Sequence, residues 1–237
     1  MNEYTDFNLN DEQIEPVMEI NGYICVVAGA GSGKTRVLTA HIANLLQMGV
    51  HPKNILAITF TNKAANEMKE RIINSSPNGD DIFASTFHSL CAKILRIYGS
   101  FIGYDSNFSI YDEEDKKRAV KRVLDSLGYD IKEKDKYVAH ISNAKTYGFT
   151  PLQYKEEFFY EKEIRKITEV YEAYEAELKR SNALDFDDLL IKCNQLLEDH
   201  PQVLSILQER FQYINVDEFQ DTNSLQFNII KLLSQKY

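Results

Sequence analysis

The 237-residue chain has no long apolar run; the longest, Ile24 to Ala28, falls far short of a membrane span. The opening residues carry Glu3 and Asp6 instead of a basic stretch leading into an apolar one, which argues against a secretory leader. Cysteine is scarce. Cys25, Cys91 and Cys193 stand far apart with no CxxC pair, which argues against a zinc site and a disulfide framework; all three read as reduced core or helix residues. The five histidines show no HxxxH spacing, so no transition-metal site is visible. Basic charge is also short: 27 Lys and Arg against 36 Asp and Glu leave a net charge of -9, the reverse of the usual footprint of a nucleic-acid binder. What remains is an ordinary globular composition, 43% hydrophobic and 27% charged, expected in the cytoplasm.

Charge is unevenly spread, however. Lys116 to Arg122 holds five basic residues in seven positions, which suits either a duplex-facing patch or the solvated face of a helix whose other side is Ala119, Val120 and Val123. The chain opens with Asn10 as an N-cap and Gln13 three positions on, a capping box for a short helix that Pro16 limits or kinks. A strand is predicted at Tyr23 to Ala28, then a glycine-rich turn and a helix from Lys34 to Met48. The pattern repeats with a strand at Ile55 to Phe60, a helix from Asn62, a strand at Ile82 to Ser85 and a helix to Tyr98. Alternating strands and helices predict an α/β fold with a parallel sheet.

From Asp112 to about Arg180 the pattern is helical only, including a long helix after Pro151 with a core stripe of Tyr160, Ile164, Ile167, Tyr171, Tyr174 and Leu178. Asp185 caps a further helix. Gln212 to Val216 then returns to strand, and a last helix runs from about Asn223.

Two segments carry chemistry. Ala28-Gly29-Ala30-Gly31-Ser32-Gly33-Lys34-Thr35 lies between predicted strand and helix, where glycines let backbone N-H groups approach a phosphate and Lys34 reaches the β and γ phosphates. Thr35 can hold Mg²⁺. Ala28 stands where the GxxxxGK[ST] pattern has glycine, a mild departure. The second segment, "VDEFQDTN" at 216–223, ends a strand on adjacent acids. Carboxylates at an apolar strand tip need a positive partner, and Mg²⁺ supplies it to Asp217. Glu218 then stands as general base for water attacking the γ phosphate, and Gln220 suits either orienting that water or sensing the γ phosphate. The plainer reading is that these acids cap the final helix, a role that suits Asp221.

Taken in order, "LNDEQ" (9–13), "AGAGSGKT" (28–35), "ITFTNKAANEM" (58–68), "STFHSL" (85–90), "LDFDDLL" (184–190) and "VDEFQDTN" resemble the motifs of superfamily 1 DNA helicases of the UvrD, PcrA and Rep type. The resemblance covers nearly the whole chain. It implies a RecA-like parallel sheet of the P-loop NTPase kind, flanked by helices and interrupted by an all-helical subdomain. Residues 1–110 and 185–237 would form the ATP-binding domain and 111–184 the insertion. The activity implied is ATP-driven translocation 3′ to 5′ on single-stranded DNA, with 3′-tailed duplex DNA as a further partner. Gln13 would read adenine, and Arg36 would lie near the base or sugar.

The resemblance also assigns Thr59, Phe60, Thr61, Asn62, Thr86, Phe87 and His88 to DNA, since both segments follow strand tips where a parallel sheet binds its ligands. A base stacking on Phe60 is the physical reason; the hydroxyl, amide and imidazole groups suit phosphate or sugar. Core packing suits Phe60 and Phe87 as well. A second RecA-like domain carrying an arginine for the γ phosphate is expected beyond this chain, so the piece alone should barely hydrolyse ATP. Two other readings remain open: a P-loop enzyme of another class, such as a small-molecule kinase, and a nonenzymatic ATP-gated DNA-binding module.

Overall fold

A computed structural model describes residues 7–29, 31–75 and 79–237. Asn10 accepts from the Gln13 amide, and Gln13 returns a bond to the Asn10 amide, so the capping box opens helix α1, Asp11–Met18, which runs through Pro16. Helix α2 spans Lys34–Gln47. Next come strand β1, Ile55–Thr59, helix α3, Asn62–Ser75, strand β2, Phe83–Thr86, and helix α4, Phe87–Tyr98. After a long helical stretch, helix α10, Pro201–Arg210, leads into strand β5, Tyr213–Val216, and helix α11, Ser224–Leu233, follows.

Contacts divide the chain into two units. The first holds residues 1–90, 201–223 and 230–237. Its sheet is parallel, in the order β2-β1-β5, with Ile58 of β1 in register with Val216 of β5 and Ser85 of β2. All five β1 residues are buried, as expected for a central parallel strand covered on both faces. Ile42 and Leu45 of α2 and Met68 and Ile72 of α3 pack with Ile55 and Ala57 in one apolar cluster. The apolar stripe read from each helix is what places it on the sheet.

The strand expected at Tyr23 to Ala28 does not form. Among the described residues β5 pairs only with β1, and residues 23–28 enter no ladder. Tyr23 and Val27 are 85% and 90% exposed, and Cys25 is exposed too, not a core residue.

The second unit holds residues 91–200 and 224–229. Strand β3, Ser109–Tyr111, pairs in parallel with strand β4, Ala183–Asp185; between them lie helices α5, Glu113–Leu127, α6, Lys134–Thr146, α7, Pro151–Glu157, and α8, Ile164–Arg180. Helix α9, Phe186–Asp199, follows β4 directly, capped by Asp185. By contacts these units divide at 90 and 200, and β3 and β4 hold both ends of the helical stretch in one sheet. The helix expected after Pro151 is two: Glu163 at φ +69 breaks the path, and Tyr160 lies outside both at 70% exposed. Ile167, Tyr171, Tyr174 and Leu178 keep the expected core stripe. Of the basic run, Arg118, Lys121 and Arg122 are exposed, whereas Lys116 is buried.

Lys116 belongs to a buried ionic cluster. Lys145, fully buried on α6, donates to Asp188 at 2.8 Å and Asp185 at 2.9 Å, and its Nζ lies 2.7 Å from Glu175 of α8. Lys116 lies 3.4 Å from Asp185 and 2.9 Å from Asp187, and the Tyr174 hydroxyl donates to Asp185. Four carboxylates thus face Lys145 and Lys116, with Lys192 3.9 Å from Glu175 at the edge. Burial opposes ionisation of both central acids; Lys145 and Lys116 outweigh it at Asp185, whose carboxyl is held well below the usual range. At Asp188, burial with Asp185 and Glu175 nearby outweighs Lys145 and pushes the carboxyl up to about 7.

A carboxyl raised in the folded state stabilises at low pH, and that contribution is lost as pH rises through its folded value. Unfolding of the second unit is therefore expected to become easier by about 1 kcal/mol between about pH 6 and pH 8. Asp188→Asn should flatten this slope; an unchanged slope in thermal melts across that range would count against it. No described helix is long and apolar enough to cross a membrane.

Candidate functional site

The loop before α2 is built from glycine conformations and carbonyl contacts. Gly31 and Gly33 have φ of +74 and +94, left-handed values that glycine alone adopts without a steric cost. Gly33 is the N-cap of α2 and has no side chain to offer, so the first N-H groups of α2 face the loop uncapped by it. Ser32 Oγ donates to the Gly29 carbonyl at 2.7 Å, and Lys34 Nζ reaches back to the Ala28 and Gly29 carbonyls, both at 3.3 Å. An ammonium folded over a loop whose helix end carries positive partial charge is an anion-binding arrangement. Ala30 lies outside the described residues.

Asp217 is delivered by the sheet. Its N-H donates to the Ile58 carbonyl at 2.9 Å, extending the β1-β5 ladder one residue past the strand. The carboxylate, 7% exposed, accepts from Thr35 Oγ1 at 2.9 Å and from the Glu218 N-H at 3.1 Å. Thr35 and Asp217 are thus two hard oxygen donors side by side next to Lys34. That set fits Mg²⁺, a cation that is usually held by one or two protein oxygens and completes its shell from phosphate and water.

Glu218 follows at φ +49, a left-handed conformation that costs a non-glycine residue about 1 kcal/mol. Such strain clusters at sites where a side chain must be aimed. Gln220 Nε2 donates to Glu218 Oε2 and, at 3.4 Å, to Asp221. The two residues expected to handle water are therefore in direct contact.

Gln13 is tied to the same loop: its Nε2 donates to the Ser32 carbonyl at 2.8 Å. A Cβ at Gly33 would lie 3.1 Å from that nitrogen, so the close approach depends on glycine there. Arg36 Nη1 reaches the Asn8 carbonyl at 3.5 Å.

The residues expected on DNA divide by burial. Phe60 is half-buried, Thr61 and Asn62 are exposed and His88 is half-buried, all at the C-terminal ends of β1 and β2. Thr59, 1% exposed, exchanges bonds with the backbone of Thr61, and Thr86, 7% exposed, donates to Ser89. Their hydroxyls hold turns. Phe87 is 1% exposed and meets the Phe60 ring edge-on at 6.0 Å. Of the two readings left open for Phe87, DNA contact and core packing, its burial accords with core packing.

Two ties escaped the reading of the sequence. Lys145 carried no motif to mark it. Asn44 and His41, by contrast, occupy positions of α2 that the apolar spacing assigns to the core, and a polar residue there is a usable signal.

The UvrD/REP helicase N-terminal domain family matches residues 9–237. The chain is 45% identical over 236 residues to a protein of Leuconostoc citreum named ATP-dependent DNA helicase PcrA, covering 96% of the chain and 31% of that relative. It is 46% identical over 235 residues to a protein of the same name from Staphylococcus aureus strain Mu50, covering 97% and 32%. A Staphylococcus epidermidis protein of that name is 45% identical over 236 residues. The chain spans about a third of the length of these relatives. With a match running from Leu9 to its last residue, the chain belongs to the UvrD/REP helicase N-terminal domain family.

Proposed function

We propose that this chain is the nucleotide-binding portion of an ATP-dependent DNA helicase that moves 3′ to 5′ along single-stranded DNA in the cytoplasm. The observation that carries the proposal is the 2.9 Å bond between Thr35 and Asp217, which unites the loop and the acidic strand tip. A RecA-like, P-loop reading of the first unit accords with its parallel sheet and with the place of the loop before α2.

In this reading Lys34 moves from the Ala28 and Gly29 carbonyls to the β and γ phosphates of ATP. Ala28 to Gly33 surround the phosphates with backbone, and Thr35 and Asp217 would hold Mg²⁺, which supplies positive charge to the phosphate oxygens. Glu218 accepts a proton from the attacking water, and Gln220, already bonded to Glu218, orients it. Gln13 and Arg36 face the base and sugar. Phe60, with Thr61, Asn62 and His88 around it, takes a base of single-stranded DNA, with 3′-tailed duplex DNA as the substrate of the whole motor.

Three outcomes are expected. Lys34→Ala and Asp217→Asn should each weaken Mg²⁺-dependent ATP binding by about tenfold or more in calorimetric titration, the loss of one charge-assisted contact. Phe60→Ala should weaken binding of a short single-stranded oligonucleotide by the ~1 to 3 kcal/mol of one stacked base. Oligonucleotide binding that is absent, with ATP binding intact, would favour a P-loop enzyme of another class. The 237-residue chain alone should turn over ATP about 10³-fold or more below helicase rates, since the γ-phosphate arginine is expected from a second motor domain. Multi-turnover hydrolysis at full helicase rates by this chain would refute that assignment.

A further inference from the structure

Helix α2 presents Val37, Ala40, His41 and Asn44 at i, i+3, i+4 and i+7, the spacing of a single buried face. Val37 and Ala40 are 5% and 0% exposed and pack with Val17 of α1 in a small apolar cluster. Asn44, only 2% exposed, donates Nδ2-H to the Val17 carbonyl at 2.9 Å. His41 Nδ1 lies 3.2 Å from the same oxygen. A carbonyl only accepts, so Nδ1 carries the proton. Burial lowers the His41 pKa, against the pull of its bonds to Val17 and Pro16, so the ring donates as a neutral imidazole.

The target of this clamp is specific. The last carbonyls of a helix have no partner within it, and Val17 is the second-last residue of α1. Glu15 is served by the Glu19 N-H, and Pro16 brings no N-H of its own. A two-turn helix containing proline has little stability by itself, so its position is set by what it packs against. Gln13 and Val17 are four residues apart and share a face of α1. The clamp on Val17 therefore determines where the Gln13 amide stands over Ser32 and Gly33. That amide spends one N-H on Ser32 and one lone pair on the Asn10 N-H, leaving by its chemistry one donor and one acceptor, the complement of an adenine edge.

We propose that Asn44 and His41 are positioning residues that hold α1 on α2 through the Val17 carbonyl and so set the preference of the site for an adenine nucleotide over a bare triphosphate. This deepens the nucleotide reading and rests on it. Neither residue touches the nucleotide; both act through Gln13.

The test compares Asn44→Leu and His41→Leu with the unaltered chain, using ATP and inorganic tripolyphosphate as probes, each with Mg²⁺. ATP affinity should fall about tenfold while tripolyphosphate affinity stays within about twofold, the loss of a base contact alone. Gln13→Ala should abolish the further effect of Asn44→Leu on ATP, and His41→Gln, which keeps an N-H donor, should restore most of what His41→Leu loses. Amide hydrogen exchange without nucleotide should accelerate across α1 and stay unchanged in the middle of α2. Equal losses for ATP and tripolyphosphate, or unchanged exchange in α1, would overturn the proposal. If Asn44→Leu does not fold, His41→Leu carries the same comparison. An unaltered chain that binds neither probe would overturn the nucleotide reading instead, and exchange in α1 would still decide whether the clamp exists.

Discussion

One contact joins the two halves of the candidate site: the Thr35 hydroxyl on the Asp217 carboxylate, across 182 residues of chain. Thr35 belongs to the first turn of α2, and Asp217 stands just past β5. Asp217 is placed there because β1 pairs with β5 in parallel and the ladder continues from the Ile58 carbonyl to the Asp217 N-H. Parallel pairing sends every strand out of the sheet at the same end. Phe60, His88 and Asp217 therefore emerge together, the arrangement in which open α/β sheets bind ligands.

The protein handles its carboxylates in two contrasting ways. At the strand tip Asp217 has a hydroxyl and an N-H for partners, and Glu218 is aimed by a strained backbone, an arrangement open to a cation or water. In the second unit Asp185 and Asp188 are closed in with Lys145 and Lys116, each carboxylate within ion-pair distance of a lysine. Removing one member of such a buried cluster leaves the others uncompensated, which is costly. The "LDFDDLL" acids are therefore accounted for by packing within that unit, with Asp185 serving at once as helix cap and ion-pair partner.

Local signals in the chain are legible where a short stretch settles the outcome. The Asn10 and Gln13 capping box, the Asp185 cap, the buried run at Ile55 and the Ile167 to Leu178 stripe each formed as their spacing requires. Elsewhere a partner strand or a neighbouring charge decides the outcome. Tyr23 to Ala28 has the composition of a strand but joins no ladder among the described residues. Lys116 sits in a basic run that otherwise faces solvent, and only the fold shows it turned inward to Asp185 and Asp187.

By itself the amino-acid sequence determined the helix caps, the central strand, the glycine loop and the identity of the acids after β5, because each depends on residues within a turn or two of one another. Tertiary structure decided which hydroxyl meets Asp217, which lysines are buried and how Gln13 is held over the loop. Those contacts join residues far apart in the chain, and their geometry exists only once the strands and helices have packed.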